Sequence, residues 1–337
     1  MVGPKGRLFL ALGCVAGCPA DDAGEGSNEE WAVVREGLPG ALLSVWGTSS
    51  KDVWSVGADA GDGSGPQVLH FDGDAWTHLP TGLASGDLWW VFGFADGPIY
   101  MGGDGGVIVR LQDGTFTTMT TPGTNTVFGI WGASPVDVWA VGGASDATGG
   151  FAWRLVGDEW IDEPSLPTDV PANAALWKMY GTSTNDAWLV GSNGVALHWD
   201  GNTLTQGMTG VGSSLFTVHE YDGHYTAVGG LASGIIVELD GDTWTNVTPD
   251  PAPMGLAGVT LGPEGFGLAV GSFGTVLTRE ADTWEIVDLG VPIAENLHGS
   301  WIDEKGGLWA VGGDTLTPPL TNGVMIHRGA AVPDEGL

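Results

Sequence analysis

This chain repeats a phrase. Residues 131–143 read WGASPVDVWAVGG, residues 46–57 read WGTSSKDVWSVG, and LWAVGG returns at 308–313. A one-off active-site motif would not recur, whereas a structural unit stacked against copies of itself would. The glycine that ends each VG or MG pair gives Gly57, Gly102, Gly142, Gly191, Gly229, Gly271 and Gly312, at steps of 45, 40, 49, 38, 42 and 41 residues. Such periods belong to propeller blades, and their irregularity requires loops of unequal length.

Each copy opens with an apolar stretch: LLSVWG, LWWVFG, VFGIWG, ALWKMYG, LFTVH, LAGVTLG and LHGSW. A tight turn leads to a second strand such as DVWAVGG, then to a third such as GVALHWDG, whose Asp-Gly signals a hairpin into a short fourth strand. The 59 glycines supply turns and the 17 tryptophans supply large buried area. First, second and third strands occur seven times. After Gly57 the fourth occurs six times, carrying Trp76, Phe116, Trp160, Leu204, Trp244 and Trp284. The missing one stands at the other end of the chain, as EEWAVV from Glu29 to Val34. The expected fold is therefore all-β: a seven-bladed propeller of four-stranded antiparallel blades, closed by an N-terminal strand that completes the last blade and removes the exposed edges. In this frame Trp131 ends an innermost strand, Asp52, Asp137 and Asp186 cap tight turns, and the tryptophans pack between blades.

The G-x-(I/V)-x-H-x-D-G-x-x-W pattern resembles bacterial propellers with Asp-box or BNR-type repeats, including the photosystem assembly factor propellers. WG-S-x-x-DVWAVG resembles repeat lipoproteins of delta-proteobacteria. The resemblance covers about residues 30–328 and implies the fold while being nearly silent on activity. DGDAW (72–76) and DGDTW (240–244) place one residue fewer between Asp and Trp than a standard Asp box, and DGNTL (200–204) loses the Trp.

The chain divides into residues 1–17, 18–28, 29–330 and a disordered tail, 331–337. Lys5 and Arg7 precede an apolar run from Leu8 to Gly17, a secretory signal too short to span a bilayer. It ends in VAGC (15–18), which looks like a lipobox; the resemblance implies cleavage before Cys18 and lipidation of its thiol. ALGC, ending at Cys14, fits less well because Leu12 is bulky. Residues 18–28 read as a flexible acidic tether. Pro19 and Ala20 after Cys18 favour an outer-membrane lipoprotein of the cell envelope, periplasmic or surface-exposed. The expected state is a monomer, touching membrane only through its lipid.

With 10 basic against 41 acidic residues, nucleic acid is a poor partner. Sialidase chemistry needs converging arginines, but Arg110, Arg154, Arg279 and Arg328 fall on third strands and Arg35 follows the closing strand. His70, His198 and His327 share one third-strand position in three blades, which spreads them around the ring. His219 and His298 lie on innermost strands of separate blades, and Lys178 is the sole basic candidate at the axis. No catalytic residue is assigned and no cofactor is expected except calcium, for which Asp59, Asp62 and Ser64 in ADAGDGSGPQ (58–67) offer hard oxygen ligands.

Second-to-third linkers (58–67, 144–150, 313–323) and fourth-to-first linkers (80–87, 161–175, 288–296) vary, while the other two classes are short and uniform. In a propeller the variable classes emerge on one face, where function concentrates. The expected function is a non-catalytic binding or scaffold module for a protein or glycan of the cell envelope. Candidate ligand-binding residues are Asp59, Asp62, Asp87, Asp146, Asp169, Asp250, Glu295 and Asp314. Two alternatives stand beside it: a glycan-processing hydrolase, and a cell-surface adhesion protein whose acidic faces are bridged by calcium.

Overall fold

The computed structural model describes residues 30–144, 146–168, 170–171, 174–330 and 332, so the signal, the Cys18 anchor, the tether and Asp169 lie outside the described residues. The disordered tail expected at 331–337 likewise falls outside them except for Val332. Seven four-stranded sheets form, each antiparallel. Among the described residues the helical turns are four three-residue 3-10 turns. The innermost strands are Leu42–Ser49, Leu88–Gly93, Thr126–Ser134, Leu176–Ser183, Leu215–Tyr221, Leu256–Leu261 and Asn296–Ile302, and each packs against the next around the ring. We number the blades 1 to 7 in that order.

Blade 7 closes the ring as expected: the strand Ala32–Gly40 pairs with the third strand Thr321–Arg328, from Ala32 opposite His327 to Gly40 opposite Thr321. The closing strand is longer than its apolar start, and Arg35 lies inside it rather than after it. Gly37 and Pro39 read as breakers, yet this is an outermost strand. Gly37 takes φ +65 at an irregularity between Arg35 and Leu38, and an edge tolerates the missing N–H of Pro39.

The repeated Val-Gly has a steric cause. In blade 5 the glycine sits opposite the first leucine of the innermost strand, Gly229 against Leu215. A Cβ on Gly229 would stand 1.9 Å from the Ser214 carbonyl oxygen. The same encounter recurs at Gly57 (Ala41 oxygen, 2.1 Å), Gly142 (Thr126, 2.0 Å), Gly191 (Ala175, 2.3 Å), Gly271 (Gly255, 2.0 Å) and Gly312 (Asn296, 1.9 Å). In blade 2 the glycine in this role is Gly103, 2.2 Å from the Asp87 oxygen and opposite Leu88, one residue later than the Gly102 marked by the MG pair.

The Asp-Val-Trp part of the phrase builds a clasp. Asp52, Trp54 and His70 meet in blade 1: the Trp54 indole donates to Asp52 at 3.0 Å, His70 Nε2 lies 2.7 Å from the same oxygen, and the two rings stack at 3.9 Å. In blade 3 Arg154 takes the histidine's place, donating twice to buried Asp137 and covering Trp139 at 5.3 Å. In blade 4 His198 Nε2 is 2.7 Å from Asp186 beside Trp188. Blade 7 has the longer turn Asp303–Gly307 and holds His327 4.0 Å from Asp303. Burial pulls that imidazole down to about 4, with the Asp303 charge opposing. The turn acids thus lock the second and third strands together, and the scattered histidines are their partners. Tryptophans then bridge blades edge to face: Trp76 with Trp309, Trp139 with Trp199, and Trp188 with Trp244. The Asp-Gly hairpins are capped similarly; Asp72 accepts the amides of Ala75 and Asp74, which hold its carboxyl below the usual range.

Candidate functional site

The two variable loop classes do share one face, because they bond to each other. The Asp59 amide donates to Asp87 at 2.9 Å and Gly86 donates back to Asp59. Gly150 donates to Ala174, Gly234 to Pro253, Ser272 to Gly255 and Gly274 to Glu295, all through backbone. No Lys or Arg stands in any second-to-third or fourth-to-first linker of the sequence. Every formal charge carried by these loops is negative, and among the described residues the Lys and Arg side chains lie on strands or on the opposite turns.

The candidate acids divide by what they already hold. Asp87 is half-buried; desolvation raises its pKa, assisted by the neighbouring Asp104 and Asp59 charges and opposed by the Asp59 amide. Asp104, which the sequence reading passed over, accepts from the Asp87 amide, the Trp89 indole and Thr126. These three acids brace blades 1, 2 and 3. Asp62 and Asp146 are exposed and fold back on Ser64 and Thr148 within their own loops. Glu295 accepts the Ala294 amide, Asp314 accepts from Asn322, and Asp250 is exposed before a cis proline. For calcium, Asp59 bonds Gly61 and Gly86 while Asp62 bonds Ser64. Among the described residues no group of three or more His, Cys, Asp or Glu side chains gathers as a metal-ligand set.

The centre of this face holds residues that were not singled out. Each innermost strand breaks register after its first or second paired residue, at Leu43, Trp89, Phe128, Trp177, Phe216, Ala257 and His298. A bulge re-aims the extra residue, and five of these seven, Trp89, Phe128, Trp177, Phe216 and His298, meet one another across blades. Trp89 of blade 2 lies 5.7 Å from His298 of blade 7, with blade 1 between them, so both reach the middle. Trp89 meets Phe128 at 5.3 Å, Phe128 meets Trp177 at 4.7 Å, and Trp177 meets Phe216 at 5.9 Å. Because strands enter from the loop-rich side, this aromatic ring lies at that mouth of the channel. The signal was present in the sequence as the second residue of each aligned first strand.

One layer deeper, Lys178 of blade 4 donates to the Phe128 carbonyl at 2.6 Å and stands 4.3 Å over the Trp90 ring of blade 2. It is the axial cation expected from sequence, and burial pulls its ammonium down to about 7. His298 Nδ1 donates to the Leu43 carbonyl at 2.6 Å, and burial, then the Lys178 charge, pull the imidazole down to about 4. Two further arginines are engaged away from the axis: Arg110 with Asp158, and Arg279 with Glu238 and Asp282. Acids rim the face and aromatic rings floor its centre, an arrangement suited to holding a cationic or stacking ligand.

No protein-family model and no curated protein matches the chain. Among solved structures it is similar to the WD40 repeats of RRP9, with a TM-score of 0.70 and 13% identity over 90% of this chain and 99% of that one. Streptogramin B lyase gives a TM-score of 0.66 and 14% identity over 90% and 99%. YCF48 bound to D1 peptide gives 0.64 and 14% over 93% and 99%. A lyase and a peptide-bound protein thus share this architecture. The likeness establishes the seven-bladed β-propeller, and the chemistry has to be read from the chain's own face.

Proposed function

We propose that the chain is a non-catalytic binding module, monomeric, which takes a basic protein partner on its loop-rich face. The observation that carries this reading is the absence of any Lys or Arg from every second-to-third and fourth-to-first linker, around an aromatic mouth. YCF48, similar in fold, is bound to a peptide, and many carboxylates on rigid strand ends attract a cationic surface. A glycan is the second reading, favoured by the same aromatic ring, on which sugar rings stack. The full mature chain, with exposed Asp62, Asp146, Asp250 and Asp314 changed to Asn, loses about tenfold in affinity for its partner from envelope extract while its Tm moves by about 2 °C or less. Binding of the unaltered chain also weakens between about 0.05 and about 0.5 M salt, as the Debye length shrinks. Salt-independent capture, or Asn variants that bind normally, refutes the basic-partner reading.

We place the module on the outer membrane, anchored by lipid at Cys18. The lipobox-like VAGC supports this, as do Pro19 and Ala20 after Cys18. Cys18→Ser abolishes incorporation of a fatty-acid analogue and frees the protein from the membrane fraction, whereas Cys14→Ser leaves both intact. A soluble, unlabelled Cys18 protein from native cells is the contrary result.

A further inference from the structure

The acids do not fill the loop-rich face evenly, and the sector from blade 5 to blade 7 carries something else. Four of the ten exposed large apolar residues of the described chain stand there: Leu231, Met254, Phe273 and Leu316. Their loops are continuous. Gly234 donates to Pro253 beside Met254, Ser272 beside Phe273 donates to Gly255, and Gly274 donates to Glu295. Leu316 belongs to the next second-to-third loop, which springs from the pairing of Asn296, beside Glu295, with Gly313. Scattered exposed apolar residues need no explanation, but four on adjoining loop tips of one face form a patch.

Phe273 is the most informative of them. It lies at the middle of the turn Ser272–Gly274 with φ +54 and is 63% exposed. The three other turns of this kind carry Gly105 at φ +67 in blade 2, Asn193 at φ +58 in the nearly identical Ser-Asn-Gly of blade 4, and Glu264 at φ +58 between the first two strands of blade 6; none carries a ring. Glycine and asparagine accept the left-handed region; phenylalanine resists it. Here a bulky ring occupies a strained position and buries little in return. Strain retained at an exposed tip points to a role outside the fold.

The geometry points to an apolar docking arc on blades 5 to 7 that receives a protein segment with leucine-like side chains along one side and lysine or arginine along the other. This rests on the basic-partner reading above and adds the apolar half of the partner. The charge pattern selects that occupant: the same arc carries Asp250, Glu295 and Asp314 between its apolar tips and no cation. A second copy of this chain, at net charge −31, would bring like charge to the same place.

The test uses two short synthetic peptides of equal positive charge, one patterned with leucine and lysine and one with each leucine replaced by serine. Each is titrated against the full mature chain by fluorescence anisotropy. The leucine–lysine peptide binds at least about tenfold more tightly, and Phe273→Asn or Leu316→Ser removes about tenfold of that advantage. Both variants leave the serine–lysine peptide unaffected. Phe273→Asn also raises Tm by about 2 °C, because asparagine fits the turn. Equal binding of the two peptides overturns the proposal, as does a Phe273→Asn protein that is less stable and binds normally. If Asp250→Asn and Asp314→Asn weaken both peptides while leucine confers no advantage, the arc fails and the basic-partner reading stands. If neither peptide depends on the loop acids, both readings fall.

Discussion

Deleting residues 30–40 abolishes the single cooperative thermal transition of the domain, or lowers its Tm by more than about 15 °C. The strand Ala32–Gly40 is the sole fourth strand of blade 7; Trp31 just before it is buried against blades 6 and 7, and Val34 within it against blades 7 and 1. Losing a buried Trp and a buried Val costs about 4–6 kcal/mol together, against a total stability of about 5–15 kcal/mol. The deletion also leaves Thr321–Arg328 as an unpaired edge. Removing residues 19–27, an acidic stretch without apolar periodicity, leaves Tm within about 1 °C. Equal behaviour of the two deletions in differential scanning calorimetry contradicts the closure.

Gly229→Ala costs about 3 kcal/mol and lowers Tm by about 6 °C or more, a far larger penalty than one methyl group ordinarily brings. The new Cβ would lie 1.9 Å from the Ser214 carbonyl oxygen and 2.8 Å from Leu215 Cα, both backbone atoms that cannot swing aside. The adjacent strands would have to separate at the position where blade 5 turns toward the axis. Gly212→Ala in the preceding linker is the comparison, since nothing lies within 4 Å of its added carbon. Similar urea midpoints for the two variants would show that close backbone approach is not why the phrase is written with glycine.

The fold was legible because its cause is local and repeated. Apolar strands, Asp-Gly turns and an Asp two residues before a Trp each recur at corresponding places, so one copy interprets the others. The count of seven held, but in blade 2 the anchor was one residue early: Met101 is followed by two glycines, and the pairing of Leu88 with Gly103 picks out the second. The closing strand was found but cut short at Val34, since Gly37 and Pro39 mean a break in a central strand and not in an edge strand. The site was less readable. Loop acids can be seen in a sequence, but whether a carboxylate is spent on a neighbour depends on packing: Asp87 braces Asp59 while Asp250 does not. The aromatic mouth was missed for a related reason. Period-two alternation assigns Trp89 and Trp177 to a blade face, and the register break that turns them to the axis has no signature within one copy.

The closing strand has a consequence in time. It is the first part of the domain to leave the ribosome, yet its partner Thr321–Arg328 is among the last, so the ring's final hydrogen bonds join residues nearly a whole chain apart. Contacts of such separation form slowly. Throughout synthesis and any transport, Ala32–Gly40 waits as a lone β-prone segment able to pair with a neighbouring molecule. Gly37 and Pro39 interrupt it where a continuous apolar strand would template aggregation. The same two residues that disguise the strand in the sequence act as gatekeepers while the nascent chain is incomplete.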